Sequence, residues 1–114
     1  MILSVNYLTL MYDFANQINY LEYNHVRFNV GNNIVSYNEK SIELTKNEGK
    51  ILKILLEHKG EIVERDTLME YLWQTDCYID DNTLSVNVNR LRKTLETIGI
   101  SSFIKTKKGI GYII

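Results

Sequence analysis

Proline is absent from this sequence, and cysteine occurs once, as Cys77. A lone cysteine cannot close an internal disulfide, which suits a reducing, cytoplasmic setting. No function follows from the missing proline. Histidine is nearly as scarce, with His25 in a strand-like stretch and His58 near a helix end. No acid is spaced to orient either ring, and two histidines with one cysteine match no metal-ligand spacing. Neither catalysis nor a metal or other cofactor is expected. No apolar run is long enough to span a bilayer, and Met1-Ile2-Leu3-Ser4 lacks the basic flank and cleavage site of a signal peptide, so membrane insertion is not expected either. Repeats and low-complexity segments are also missing. What is present is enough apolar material, 45% of residues, to build one core in a chain of one-domain length.

The net charge of −1 argues against a nucleic-acid partner until its distribution is examined. Residues 82–114 carry Arg90, Arg92, Lys93, Lys105, Lys107 and Lys108 against the single acid Glu96, a local charge of +5. Residues 1–81 hold seven basic and thirteen acidic residues, a local charge of −6. One face of the molecule is therefore suited to an anionic partner, or the cluster is simply a solvated surface.

Residues 1–20 have no firm period and read as a linker remnant or poorly ordered segment. The domain proper reads as 21–114. Leu21 to Val30 alternates as a strand; Ile34 to Tyr37 and Ser41 to Leu44 are two more, set off by turns at Gly31-Asn32-Asn33 and Asn38-Glu39-Lys40. Thr45-Lys46-Asn47-Glu48 is a capping box that opens a helix with Leu52, Leu55, Leu56 and Lys59 on one face, stopped at Lys59-Gly60. Ile62-Val63 is a short extended link. A second helix runs from Arg65 to Trp73 with Leu68, Leu72 and Trp73 inward, followed by a polar loop, Gln74 to Asp80. Asp81 opens a third helix that ends near Ile98-Gly99. A hairpin from Ser102 to Ile114 turns at Gly109. This order predicts an α+β winged helix-turn-helix: an N-terminal antiparallel sheet, three helices and a C-terminal β-hairpin wing.

On the third helix, Leu84, Val88, Leu91, Leu95 and Ile98 form a stripe. The opposite side shows Asn82, Val86, Asn89, Arg90 and Lys93, with Asn87 and Ser85 at its edges. Asparagine matches the N6/N7 edge of adenine, arginine the O6/N7 edge of guanine, and an exposed valine suits a thymine methyl. Asparagine is a mediocre helix former, so three of them in so short a helix call for a reason beyond propensity. Arg92 and Lys93 suit phosphates or the helix dipole. Lys105, Lys107 and Lys108 suit phosphates or a narrow minor groove, or protect a solvated edge.

Leu44 to Glu48, Leu68 to Trp73, Asp81 to Lys93 and Thr106 to Tyr112 together resemble the effector domain of OmpR/PhoB-type response regulators, with the match running from Leu21 to Ile114. The Asn82-to-Lys93 stretch resembles the BceR/GraR-like branch, which answers envelope and peptide-antibiotic stress. The resemblance implies double-stranded DNA as partner, bound at direct repeats by head-to-tail copies. It places Val86, Asn87, Asn89 and Arg90 where the family reads bases. It places Thr83, Arg92, Lys93 and Trp73, and the wing residues Thr106 and Lys108, at the backbone and minor groove. It makes the loop with Gln74, Thr75, Asp76, Tyr78 and Asp80 a contact for RNA polymerase. A receiver domain and a sensor kinase are implied partners of the full-length protein. Leu8 to Phe14 resembles the linker after a receiver, so the chain reads as an effector domain without its phosphate-accepting partner.

One departure from the family stands out. Gly49 occupies a position usually held by a core aromatic; either a neighbour such as Phe28 or Tyr37 fills the space, or the domain is less stable than its relatives. The competing functional reading is a winged helix used only for protein contacts. It predicts an apolar or acidic outward face on the third helix, where this sequence has Asn, Asn, Arg and Lys.

Overall fold

The computed structural model describes residues 20–114. The linker-like reading of residues 1–19, including Leu8 to Phe14, lies outside the described residues. The first layer is a meander of four strands, β1 (Tyr20–Tyr23), β2 (Val26–Asn29), β3 (Ile34–Tyr37) and β4 (Lys40–Glu43), each antiparallel to the next. The expected single strand over 21–30 is in fact two. It breaks at Asn24 and His25, whose φ angles are 50° and 68°. Two consecutive left-handed residues make the turn whose twist matches a hairpin, and Asn38 and Glu39 repeat it between β3 and β4 with φ of 48° and 68°. His25 therefore belongs to a turn, not a strand. Val26, Phe28 and Val35 point inward.

Against this sheet lies α1 (Lys46–Glu57), opened by the expected capping box. Thr45 Oγ1 accepts from the Glu48 amide at 3.2 Å, and Glu48 Oε1 accepts from the Thr45 amide at 2.8 Å. The buried face is wider than expected, because Ile51 and Ile54 join Leu52, Leu55 and Leu56. Lys59 is not on it. It lies beyond the helix, exposed, and its ammonium donates to Glu22 O.

Next come α2 (Arg65–Gln74), which buries Leu68 and Leu72, and α3 (Asp81–Glu96), which buries Leu84, Val88, Leu91 and Leu95. Ile98 continues that stripe into the core. The second Glu48 oxygen accepts from Thr94 Oγ1 at 2.7 Å, so the capping glutamate also ties α1 to α3. Asp80 caps α3 by accepting from the Thr83 amide at 2.7 Å. Hydrogen bonding to Thr83, side chain first and backbone second, holds the Asp80 carboxyl below its usual range.

The wing is a three-stranded sheet in the order β5 (Val63–Glu64), β7 (Gly111–Ile113), β6 (Lys105–Lys107). The expected extended link is thus a strand, pairing Val63 with Tyr112 and Glu64 with Gly111.

The space beside Gly49 is filled by neither Phe28 nor Tyr37. A Cβ at Gly49 would lie 1.9 Å from Asn33 Oδ1. Asn33, with φ of 65°, sends Nδ2 to Leu44 O and Thr45 O, each at 3.0 Å, locking the turn that precedes α1. Gly49→Ala adds about 1 kcal/mol of helix propensity. It also displaces an amide whose two hydrogen bonds are worth about 0.5–1.5 kcal/mol each. We expect urea unfolding to show Gly49→Ala as neutral to destabilising in the natural sequence and stabilising, by about 1 kcal/mol, in an Asn33→Gly background. Equal effects in both backgrounds would dissociate the two residues.

Candidate nucleic-acid interface

Two arginines tie α3 to the wing. Arg65, at the start of α2, donates through Nε to Asp81 Oδ1 at 2.8 Å and through Nη2 to Asp81 O at 2.7 Å and Ser85 Oγ at 2.8 Å. Its Nη1 donates to the Tyr112 hydroxyl at 2.7 Å. One side chain thus joins α2, the first turn of α3 and β7. The Asp81 carboxylate is the main reason the Arg65 pKa is raised. On the other side, Arg92 donates to Ile104 O, Thr106 Oγ1 and Asn89 Oδ1. The buried Tyr112 ring lies near both guanidinium groups, at 5.6 Å from Arg65 and 5.8 Å from Arg92. Sequence reasoning passed over Arg65. The only available signal was a basic residue at a helix start, where the dipole disfavours it without an acidic partner.

Val86, Asn89, Arg90 and Lys93 are exposed together on α3, as are Asn82 and Thr83 at its start. Val86 is 46% exposed, unusual for a valine on an otherwise polar face. Asn87 departs from expectation. It is only 6% exposed, and its amide donates back to Thr83 O at 2.9 Å, so it braces the helix and does not join the outward face. Arg92 is half-buried rather than extended into solvent.

Trp73 also departs from expectation. It is 47% exposed rather than inward, and its indole N–H donates to Ile79 O at 3.1 Å, bracing the loop after α2. Gln74 is the last residue of α2, so the loop begins at Thr75. Thr75 is half-buried, with its hydroxyl donating to Leu72 O, and Asp80 is engaged as a cap, leaving Asp76 and Tyr78 as the projecting pair. Lys50 donates to Thr75 O, and Cys77, buried, donates to Asn47 Oδ1, so the base of this loop is fastened to α1.

On the wing, alternation along β6 puts Thr106 toward Arg92. Lys105 and Lys107 line an open groove of about 430 Å³ on the other side, with Tyr23, Tyr37 and Phe103. Lys108 stands at the tip, in a turn closed by Ile110 N to Lys107 O, with Gly109 in the left-handed region at φ 74°. Gly111 is required by the fold of the wing itself. A Cβ there would meet Val63 O at 2.0 Å, so glycine permits the β5 backbone to come close. Among the described residues no helix is long and apolar enough to cross a membrane, and no cluster of ligands fits a metal ion.

A four-stranded sheet, a supporting helix, an exposed polar helix and an adjoining hairpin define a winged-helix domain of the OmpR/PhoB DNA-binding type. The chain belongs to the family described as "Transcriptional regulatory protein, C terminal", whose model matches residues 39–114. That family is a transcription-regulator domain and not an enzyme. The "Sensory transduction protein BceR" of Halalkalibacterium halodurans is 54% identical over 81 residues, covering 71% of this chain and 35% of that protein. The "Response regulator protein GraR" of Staphylococcus aureus is 51% identical over 75 residues, covering 66% of this chain and 34% of that protein. The chain thus spans about a third of the length of these curated relatives. Among solved structures, the C-terminal domain of the nisin resistance regulator NsrR superposes with a TM-score of 0.74 at 39% identity, covering 82% of this chain and 94% of that one. The Klebsiella pneumoniae RstA DNA-binding domain, solved in complex with the RstA box, superposes at 0.70 with 26% identity, covering 83% and 95%.

Proposed function

We propose that this domain regulates transcription by binding double-stranded DNA sequence-specifically, with α3 in the major groove and the Lys108 tip against the adjacent backbone or minor groove. The carrying observation is the exposed set Val86, Asn89, Arg90 and Lys93 held beside the wing by Arg65 and Arg92. Those four residues include two cations, an amide and no acid, which disfavours the protein-contact alternative. The likeness to a domain solved on its DNA box, and to response regulators, supports the same reading. Val86, Asn89 and Arg90 read bases, while Thr83, Lys93 and Lys108 hold phosphates. Two copies sit head to tail on direct repeats. Asp76 and Tyr78 offer a contact to RNA polymerase in the cytoplasm. In a full-length protein of the BceR or GraR kind, a receiver domain and its sensor kinase would govern this binding, in envelope-stress or peptide-antibiotic responses.

Selection from random duplexes tests this directly, returning half-site, spacing and orientation; failure to enrich any sequence defeats it. On the selected site, Arg90→Ala is expected to weaken binding by about 1–3 kcal/mol and relax one base position. An equal loss on random duplex would contradict base reading by Arg90. Lys108→Ala is expected to weaken binding to all sequences and to reduce the log–log salt slope by about one. An unchanged slope would remove Lys108 from the phosphate contacts.

A further inference from the structure

Arg92 stands between α3 and the wing with all three guanidinium nitrogens engaged. Nε donates to Ile104 O at 3.1 Å, Nη1 to Asn89 Oδ1 at 2.8 Å and Nη2 to Thr106 Oγ1 at 2.6 Å. Its position over the Tyr112 ring, 5.8 Å from the centroid, gives the group a fourth support. A guanidinium has donors only. The Asn89 amide must therefore turn its oxygen to Arg92, which leaves Nδ2 on the far side of an exposed side chain. An unsupported asparagine can turn its amide over and offer a base either an acceptor or a donor. Beside Arg92 that freedom is lost.

We propose that Arg92 is a positioning residue for sequence selection: it holds Asn89 as an outward hydrogen-bond donor. The base facing Asn89 must then present a major-groove acceptor, such as purine N7 or thymine O4. Cytosine, whose groove edge offers the N4 amino donor and no acceptor, would leave Nδ2 unpaired and is disfavoured. Adenine stays readable through both its groups, because the Asn89 oxygen keeps a second lone pair. This inference rests on the DNA-reading function proposed above. It replaces the phosphate role that family resemblance implies for Arg92, whose fork is spent on Asn89 and Thr106 instead of being offered to a backbone.

Arg92→Lys separates the two roles, since it keeps the charge and loses the planar fork. The natural chain is first titrated at several salt concentrations on its selected duplex and on every single-base-pair substitution of it. Asn89→Ala marks the base pair that Asn89 reads. Arg92→Lys is then expected to lower discrimination at that base pair about tenfold, with cytosine regaining most, while other positions and the salt slope stay as they were. Thr106→Val removes one anchor of the guanidinium and no charge. It should move the same base pair the same way by less, and it carries the test if circular dichroism shows Arg92→Lys unfolded. A base-pair profile unchanged in the folded variant overturns the proposal, as does a loss spread evenly over all duplexes. If the natural chain enriches no sequence, the DNA-reading function fails and takes this inference with it. If it enriches one but Asn89→Ala alters no preference, the function stands and the inference alone falls.

Discussion

Gly111→Ala is expected to lower the thermal midpoint of the domain by about 12–24 °C, the largest effect of any single-methyl change considered. The added Cβ would lie 2.0 Å from Val63 O and 2.8 Å from Glu64 Cα. Both are backbone atoms, so no side chain can swing aside, and β5 must separate from β7. Forcing a methyl into filled space costs about 1–3 kcal/mol, and a backbone collision lies at the upper end or above. Each kcal/mol shifts the midpoint of a domain this size by about 4–8 °C. The wing would detach from the start of α2, so DNA affinity should fall with stability. Calorimetry checks the first part and duplex titration the second. A midpoint within 3 °C of the natural domain would mean that the two strands are not held at this distance.

Arg65→Ala comes next, at about 2–3 kcal/mol. It removes a charge-assisted pair and leaves the Tyr112 hydroxyl, Ser85 and the Asp81 carbonyl without their shared donor. Hydrogen bonds to charged groups are worth about 1.5–3 kcal/mol each, but the Asp81 side chain is 66% exposed and water substitutes there, so the sum is far from additive. Arg65→Lys should recover little, because one ammonium cannot reach three elements in a fixed fork. Binding should weaken on specific and random duplexes alike, since helix and wing lose their common frame while every base-reading side chain survives. Denaturant unfolding of both variants, with titration on both duplexes, decides this. Full recovery by lysine would reduce Arg65 to a simple countercharge.

The features legible in the sequence are those carried by local pattern. The leucine stripe of α3, the Thr45–Glu48 capping box and the Gly109 turn each follow from residues within a few positions of one another. Part of what was not legible depends on partners distant in sequence, and part on local side-chain choices that the pattern leaves open. Asn33 fills the space beside Gly49, sixteen positions away, and nothing in an Asn-Asn turn announces that. Asn87 falls near the outward face on a wheel, yet its amide finds Thr83 O one turn back and the residue is covered. The break at Asn24 and His25 was hidden because histidine is an uncommon second residue in such a turn. Arg92 read as a free cation, and only its wing partners Ile104 and Thr106 show it to be a strut.

The strand pairing of the wing also bears on how the molecule comes into being. Strands β1 to β4 each find their partner next door, whereas Val63 must wait for Tyr112, about fifty residues later. Closing so long a loop is entropically costly and slow compared with zipping a hairpin. The four-stranded sheet, built of neighbouring hairpins, can therefore form ahead of the wing, whose β5 waits for β7. Until those strands pair, Arg65 has no tyrosine to hold and Arg92 has no hairpin to lean on, so the frame that sets α3 beside the wing is completed last.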